Sequence, residues 1–303
     1  MKFLVVGAGA VGGYFGARLA EKGEDVTFLV RENRQKQLQK RGLRVHSVHG
    51  DVTIQPKTIV SNETGVFDVI LLGTKAYHLE QAIEDIRPFV HKETIIIPML
   101  NGMKHIERLR SSFPEQCVIG GLCFIEATLS EEGDIIQKSP IHKFVFGEWN
   151  GGKTERMQAL EEAFANTNAM IGVSPNILRD MWHKYLFIST LSGVTTLFRQ
   201  PIGPIRSLPL GAELIKSLFS EIAQIMRAEQ APIDNDIEQK QFVTISEMDY
   251  GMKSSMQRDM EKGLSVEGDH LQGYLLELAN KHGIEAPVLK AVYANLKLYE
   301  GSK

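Results

Sequence analysis

Gly7-Ala8-Gly9-Ala10-Val11-Gly12 stands directly after the apolar run Phe3-Leu4-Val5-Val6. In a G-x-G-x-x-G string the first glycine permits a tight turn and the second lets the backbone approach a pyrophosphate. The third allows a helix to pack closely on the preceding strand. Exposed N–H groups and the dipole at the helix N-terminus then stabilise phosphate charge. Glycine-rich strings are common. What ties this one to dinucleotide binding is its place between a strand-like run and an amphipathic stretch reaching about Lys22. The end of the second strand bears on which dinucleotide is bound. NAD sites usually carry an acidic residue there, whereas this chain reads Val30-Arg31-Glu32-Asn33-Arg34. Arg31 suits a bidentate, charge-assisted contact with a 2′-phosphate, which points to NADP. Glu32 turned toward the ribose would favour NAD instead, and a solvated helix start is the third use of Arg31.

A second candidate lies at Lys184, in a helical pattern running from Leu178 to Phe198. Arg179, Asp180 and His183 fall on one side of its first turn and read as solvated. From Tyr185 onward the helix is apolar or small nearly all round, as a buried central helix is. Lys184 projects with Ile188, Leu191 and Ser192, at i+4, i+7 and i+8. Either it marks a solvated edge, as lysines usually do, or it is partly desolvated, with a lowered pKa that suits a general acid. The nine histidines are scattered, with no His-x-x-x-His pair beside carboxylates, so no metal site is expected.

These residues need elements to hold them. Lys2–Val6, Asp25–Val30, Val66–Leu72 and Thr94–Met99 read as strands. They alternate with helical patterns over Gly13–Lys22, Arg34–Lys40 and Tyr77–Phe89, which predicts a doubly wound α/β domain of Rossmann type. Short strands are expected over Leu43–Val60, and further strands over Cys117–Glu126, Ile135–Gln137 and Lys143–Gly147, with a helix over Thr154–Asn166. The texture changes at Ser174-Pro175-Asn176, a helix-start signal. Beyond it only helices are expected: Leu178–Phe198, Ala212–Glu229, Ile237–Gly251, Gly268–His282 and Pro287–Tyr299. The boundary is placed there, with a nucleotide-binding domain over 1–174 and an all-helical substrate and catalytic domain over 175–303.

A net charge of -3 without a basic block argues against nucleic acid or an anionic membrane surface as the partner. The longest apolar stretch, Tyr185–Phe198, falls short of the roughly 18 residues that a membrane span needs. The N-terminus lacks the pattern of a signal peptide. Cys117 and Cys123 make neither a disulfide framework nor a metal motif. A reduced, cytoplasmic setting is the expectation.

Later motifs add a resemblance. Gly7–Gly12, Arg31, Lys75 in Gly-Thr-Lys, Asn101-Gly102-Met103, Trp182-x-Lys184, and Ser254-Ser255-Met256-x-x-Asp259 followed by Glu267 occur in order over nearly the whole chain. Together they resemble the ketopantoate reductase (2-dehydropantoate 2-reductase) family. The resemblance implies NADPH-dependent reduction of a small 2-keto acid, ketopantoate to pantoate, a step toward pantothenate. Lys184 would protonate the ketone oxygen, Glu267 would bind the resulting hydroxyl and hold Lys184, and Asn101 would lie beside nicotinamide and lysine. Ser255 would hydrogen-bond the substrate carboxylate, Lys75 would lie near the cofactor, and Arg31 would meet its 2′-phosphate. Without the resemblance, Asn101-Gly102 reads as a strand-ending turn, Ser255 as a helix-surface serine, Glu267 as a first-turn acid capped by Ser265, and Lys75 as a solvated loop lysine.

The chain also departs from that family. Asparagines often stand four and eight residues beyond the lysine, where this chain has Ile188 and Ser192. Isoleucine cannot donate a hydrogen bond, and Ser192, the remaining substrate anchor on that face, reaches less far. Lys104 stands where a small residue is common. The substrate is therefore either ketopantoate or another small 2-keto acid, and the helical half leaves a homodimer open. A non-catalytic NADPH-binding regulator is the third reading, against which Lys184, Glu267 and Asn101 stand.

Overall fold

The computed structural model describes residues 1–303. The chain divides into two compact units. Residues 1–100 and 105–177 form the first; residues 101–104 and 178–303 form the second.

The first unit begins with β1 (Lys2–Val6), α1 (Ala10–Lys22), β2 (Asp25–Leu29) and α2 (Glu32–Arg41). It continues through β3 (Leu43–Ser47), β4 (Val52–Ile54), β5 (Lys57–Ile59), β6 (Val69–Leu72), α3 (Leu79–Ile86), β7 (Ile95–Pro98) and α4 (Lys104–Ser112). It closes with β8 (Gly120–Leu129), β9 (Ile135–Gly147), α5 (Glu155–Phe164) and β10 (Met170–Val173). One sheet has the order β5-β2-β1-β6-β7, and every pair in it is parallel. Its central strands are apolar on both faces because both faces are covered. Phe3, Val5, Phe28, Val69, Leu71 and Ile97 enter one core; Leu4, Val6, Leu29, Ile70, Leu72 and Ile96 enter the other. That division is the two-residue period of the strand read off the structure.

The second sheet has the order β10-β9-β3-β4, with β8 paired to β9. Helix α1 packs between the two sheets, and its glycines let it. A Cβ on Gly13 would lie 2.6 Å from Ile135 Cδ1, and one on Gly16 would lie 2.8 Å from the Phe28 ring. The two strands expected over Ile135–Gln137 and Lys143–Gly147 are one continuous β9. Its ladder with β8 jumps from Ala127 opposite Gln137 to Ile125 opposite His142. Pro140 falls in the skipped stretch, where its missing N–H costs no ladder bond. Strand β10 and helix α4 were not expected from the sequence.

Beside α1 lies a buried polar cluster. The Tyr14 hydroxyl and His142 Nδ1 are 2.6 Å apart. The His49 ring stacks on His142 at 3.6 Å, and Arg18 lies 5.1 Å from the Tyr14 ring centre. Burial, with the His49 and Arg18 charges, pushes the His142 imidazole down to about 4 from 6.5. A folded-state value below that of the unfolded chain means that folding favours the neutral ring. The stability gained is fully present above pH 6.5 and is lost as pH falls toward 4. The loss should reach about 2 kcal/mol by pH 5. A His142→Asn variant should therefore show a smaller drop in Tm between pH 7.5 and pH 5 than the wild type. Equal drops would remove His142 from the account.

The second unit is helical: α6 (Ile177–Phe198), α7 (Ile202–Ser207), α8 (Pro209–Ala228), α9 (Ile237–Glu247), α10 (Ser255–Glu261), α11 (Tyr274–Lys281) and α12 (Pro287–Gly301). A π-helical turn, Asp269–Gly273, precedes α11. Tyr185, Leu186 and Val194 of α6, Leu218, Phe219 and Ile222 of α8, and Leu289 and Val292 of α12 are buried in its interior. Glu221 of α8 accepts from the backbone N–H groups of Val288 (3.0 Å) and Leu289 (2.9 Å), so a neighbouring helix caps α12. The expected helix over Gly268–His282 is the π turn plus α11, α9 stops at Glu247, and α7 and α10 were not expected. No helix is long and apolar enough to cross a membrane.

Candidate active site

In the first unit the strand order reverses at β1, between β2 and β6. The loops at the carboxyl ends of β1 and β6 therefore open side by side, which is where open α/β sheets bind ligands. Gly7 has φ +88°, a conformation glycine adopts without strain. A Cβ on Gly12 would lie 2.7 Å from the Gly7 carbonyl oxygen and 3.4 Å from Gly73 Cα, so this glycine is required by packing. Gly9 is different: a Cβ there would meet nothing in the chain within 4 Å. Nothing in the chain itself requires a glycine here, and this is the position of a G-x-G-x-x-G loop at which a backbone can approach a pyrophosphate. Gly9 is also the N-cap of α1, where no side chain caps the helix and no acid sits in the first turn. That set of features fits a pyrophosphate held by backbone N–H groups.

The loops do not hang loose. The Gly7 N–H bonds to Leu29 O (3.1 Å), Gly73 N–H to Val6 O (3.1 Å), Val30 N–H to Ile59 O (3.0 Å) and Met99 N–H to Leu72 O (2.9 Å). Each ladder thus continues one residue past its strand. Arg34 adds a brace, donating to Ala8 O (3.2 Å) and Gly133 O (2.8 Å). The structure adds Gly73, Arg34 and the buried Thr74 hydroxyl, which has no partner in the chain, to the residues of this loop cluster. Gly73 and Thr74 stand in the Gly-Thr-Lys string and Arg34 closes the string after β2, but the sequence assigned none of the three a role.

Arg31 is exposed at the N-cap of α2. Glu32 is the first residue of that helix, where the dipole favours an acid. Lys75 is half-buried in the segment after β6, its carbonyl accepting from His78 N–H at 2.9 Å. Burial, and next the charge of Arg31, lowers the His78 pKa. His78 carried no signal in the sequence. Replacing Arg31 by alanine should weaken NADPH by about tenfold, the value of one charge-assisted contact at an exposed site. Utilisation of NADH should be unchanged. A ratio of kcat/KM for the two cofactors that stays at the wild-type value would remove Arg31 from the 2′-phosphate contact.

The second unit holds the other candidates. Lys184 is buried, with 8% of its surface exposed. This excludes the solvated-edge alternative. Arg179 and Asp180 keep 42% and 35% of their side-chain surface exposed, whereas His183, at 17%, is partly covered by the segment around Asp234: Asp234 N–H donates to His183 Nε2 at 3.0 Å. Next to Lys184, the Tyr185 hydroxyl donates to Leu271 O at 2.5 Å. Helix α6 is thereby fastened to the π turn that follows Glu267, and such turns recur at functional sites. Burial pushes the Tyr185 phenol well above its ordinary range, so it stays a donor.

Glu267 is half-buried and its carbonyl accepts from Leu271 N–H at 3.0 Å. His270 Nε2–H donates to Asn101 O at 3.0 Å. Burial lowers the His270 pKa, while the Glu267 charge and the Asn101 bond oppose that shift. One buried imidazole thus brings Asn101 and Glu267 to the same turn. At Gly102, φ is +84° and a Cβ would lie 2.8 Å from Leu271 Cδ2, so the turn after Asn101 packs directly on the π turn. Lys104, the departure from the family pattern, pairs instead with Glu277 (2.7 Å).

Ser255 is exposed at the first position of α10. Its neighbour Ser254 is the buried cap, accepting from Gln257 N–H (3.0 Å) and lying 2.8 Å from Thr195 Oγ1. Ser192 is buried with its hydroxyl engaged by Gln272 (2.9 Å), and Ile188 is half-buried. Tyr185, His270 and Gln272 were not anticipated from the sequence.

Comparison with known proteins follows the same outline. Residues 3–151 match the family described as ketopantoate reductase PanE/ApbA, and residues 176–300 match its C-terminal domain. The chain is 53% identical to the uncharacterized oxidoreductase YkpB of Bacillus subtilis (strain 168), over 100% of both chains. A crystal structure of 2-dehydropantoate 2-reductase from Geobacter metallireducens GS-15 is 26% identical, covers 98% of this chain and 99% of its own, and superposes with a TM-score of 0.89. A ternary structure of D-mandelate dehydrogenase with NADH and anilino(oxo)acetate has a TM-score of 0.90 at 21% identity, covering 100% of this chain and 99% of its own, a likeness of fold. With both of its units matched, this chain belongs to the ketopantoate reductase family of NADP-dependent oxidoreductases.

Proposed function

We propose that the protein reduces ketopantoate (2-dehydropantoate) to pantoate with NADPH, acting in the cytoplasm in pantothenate biosynthesis. The observation that supports this most is a buried lysine, Lys184, on a helix fastened to the turn that follows Glu267. NADPH, when bound, supplies the hydride. Lys184 Nζ gives its proton to the ketone oxygen as negative charge develops there, so that the 2-hydroxy acid is formed, and solvent later returns a proton to the amine. Glu267 accepts from the new hydroxyl and orients Lys184, and Asn101 aligns the carbonyl beside the lysine. Ser255, at the start of α10, binds the substrate carboxylate. Gly7–Gly12, Arg31 and Lys75 bind the cofactor.

A second reading, reduction of a different small 2-keto acid on the same scaffold, is favoured by Ile188, which offers no hydrogen bond where a polar anchor is common. The D-mandelate dehydrogenase of the same fold is in keeping with that breadth. The test is NADPH oxidation, followed by absorbance, with ketopantoate beside branched and unbranched 2-keto acids. Turnover of ketopantoate far above that of the unbranched acids supports the first reading. Turnover of another acid alone supports the second, and cofactor binding without turnover of any acid would defeat both.

A further inference from the structure

The face of α6 that carries Lys184 continues through Ile188, Leu191, Ser192 and Thr195, and its hydroxyls are already engaged. Ser192 Oγ accepts from Gln272 Nε2 at 2.9 Å and donates to Ser189 O at 3.4 Å. Thr195 Oγ1 donates to Leu191 O at 2.7 Å and meets Ser254 Oγ at 2.8 Å. Gln272 is fully buried on the π turn, and its Nε2 also donates to Ser189 O at 3.0 Å. Its carboxamide oxygen has no partner in the chain. A buried amide with one end unpaired carries the desolvation cost of that end, so what recommends it over an apolar residue is the pair of hydrogen bonds its other end donates. What the amide does achieve is to hold the Ser192 hydroxyl and the α6 backbone.

We infer that Gln272 is a specificity-determining residue. By holding the Ser192 hydroxyl beside the aliphatic Ile188, it leaves the Lys184 face without a hydrogen bond for a hydroxyl on the substrate's side chain. The site then accepts branched 2-keto acids with and without that hydroxyl, recognising the keto acid itself and the hydrocarbon bulk next to it. The inference rests on the reductase reading above and narrows it: ketopantoate is turned over, but its 4-hydroxyl is not what selects it.

Two substrates that differ only in that group decide the matter. They are ketopantoate (4-hydroxy-3,3-dimethyl-2-oxobutanoate) and its deoxy analogue 3,3-dimethyl-2-oxobutanoate. A site built to hydrogen-bond a substrate hydroxyl rejects the analogue lacking it by about 10⁴–10⁵, whereas here kcat/KM for the two should agree within about tenfold. Gln272→Met, which keeps the volume and removes the donor, should release Ser192 and move the ratio toward ketopantoate by about fivefold, the worth of one modest hydrogen bond. Ile188→Asn should move it the same way without touching the π turn, and it serves if the Gln272 variant does not fold. Because each result is a ratio between two substrates in one enzyme, a general loss of activity cancels. A wild-type preference for ketopantoate of a hundredfold or more would overturn the inference. So would a ratio that moves in neither variant. Turnover of neither acid, nor of any other 2-keto acid, would instead bring down the reductase reading and the inference with it.

Discussion

Replacing Lys184 by alanine is expected to lower kcat/KM for NADPH-dependent reduction of 2-keto acids by on the order of 10²–10⁴, the usual worth of a positioned general acid. Two features place the effect in that range. Lys184 is buried, so bulk solvent is a poor substitute for it as the proton donor. Helix α6 is also fastened one residue away, through Tyr185 and Leu271, so the remaining groups keep their places when the amine is removed. The variant should fold and bind NADPH as the wild type does, since the glycine loop belongs to the other unit. An arginine at the same place keeps the charge but cannot release a proton near neutral pH, so it should recover little. Steady-state kinetics beside an NADPH titration of the same sample gives the answer. An alanine variant within a few-fold of wild type would strip Lys184 of its role.

The second large effect is expected at Gly9. Alanine there should weaken NADPH by about a hundredfold, the loss of two charge-assisted hydrogen bonds, with Tm within a few degrees of wild type. The backbone at Gly9 has φ -86° and ψ -171°, which alanine adopts without strain, and its methyl group would meet no atom of the chain. In a G-x-G-x-x-G loop that position is the one at which the diphosphate approaches the backbone. Gly12→Ala provides the contrast. Its Cβ would fall 2.7 Å from the Gly7 carbonyl, so stability and affinity should drop together. Calorimetry on both variants separates the two glycines. A Gly9→Ala protein that melts far below wild type would show that this glycine, too, serves folding.

The glycine loop and the strands around it were legible because their signals are local. Parallel strands covered on both faces must be apolar throughout, and Val5-Val6, Ile70-Leu71-Leu72 and Ile95-Ile96-Ile97 are. Helix α6 was legible for the same reason, as a long segment with hardly a polar face. What escaped depends on distant partners. His270 matters through Asn101, 169 positions away, and Gln272 through Ser192, 80 positions away. Neither is marked as functional by its neighbours in sequence. The π turn reads as ordinary helix because one additional residue in a turn leaves the apolar pattern of Leu271, Tyr274, Leu275 and Leu278 nearly intact. Continuous β9 was hidden by Pro140, which looks like a break until the skipped register opposite it is seen. The motif resemblance placed Lys184, Glu267 and Asn101 on one list, but the imidazole that links Glu267 to Asn101 had no place in the motif.

The ladder bonds that run one residue beyond β1, β2, β6 and β7 bear on the thermodynamics of cofactor capture. A loop whose first amide is already part of the sheet has few conformations left to lose when a diphosphate arrives, so association should carry a small entropic penalty. The same amides, at Gly7, Val30, Gly73 and Met99, should exchange with deuterium as slowly as the central strands do, opening only when the whole sheet opens. Their protection factors in the cofactor-free protein should already stand near those of Val5 and Leu71, and on titration with NADPH should rise only in step with those of the central strands.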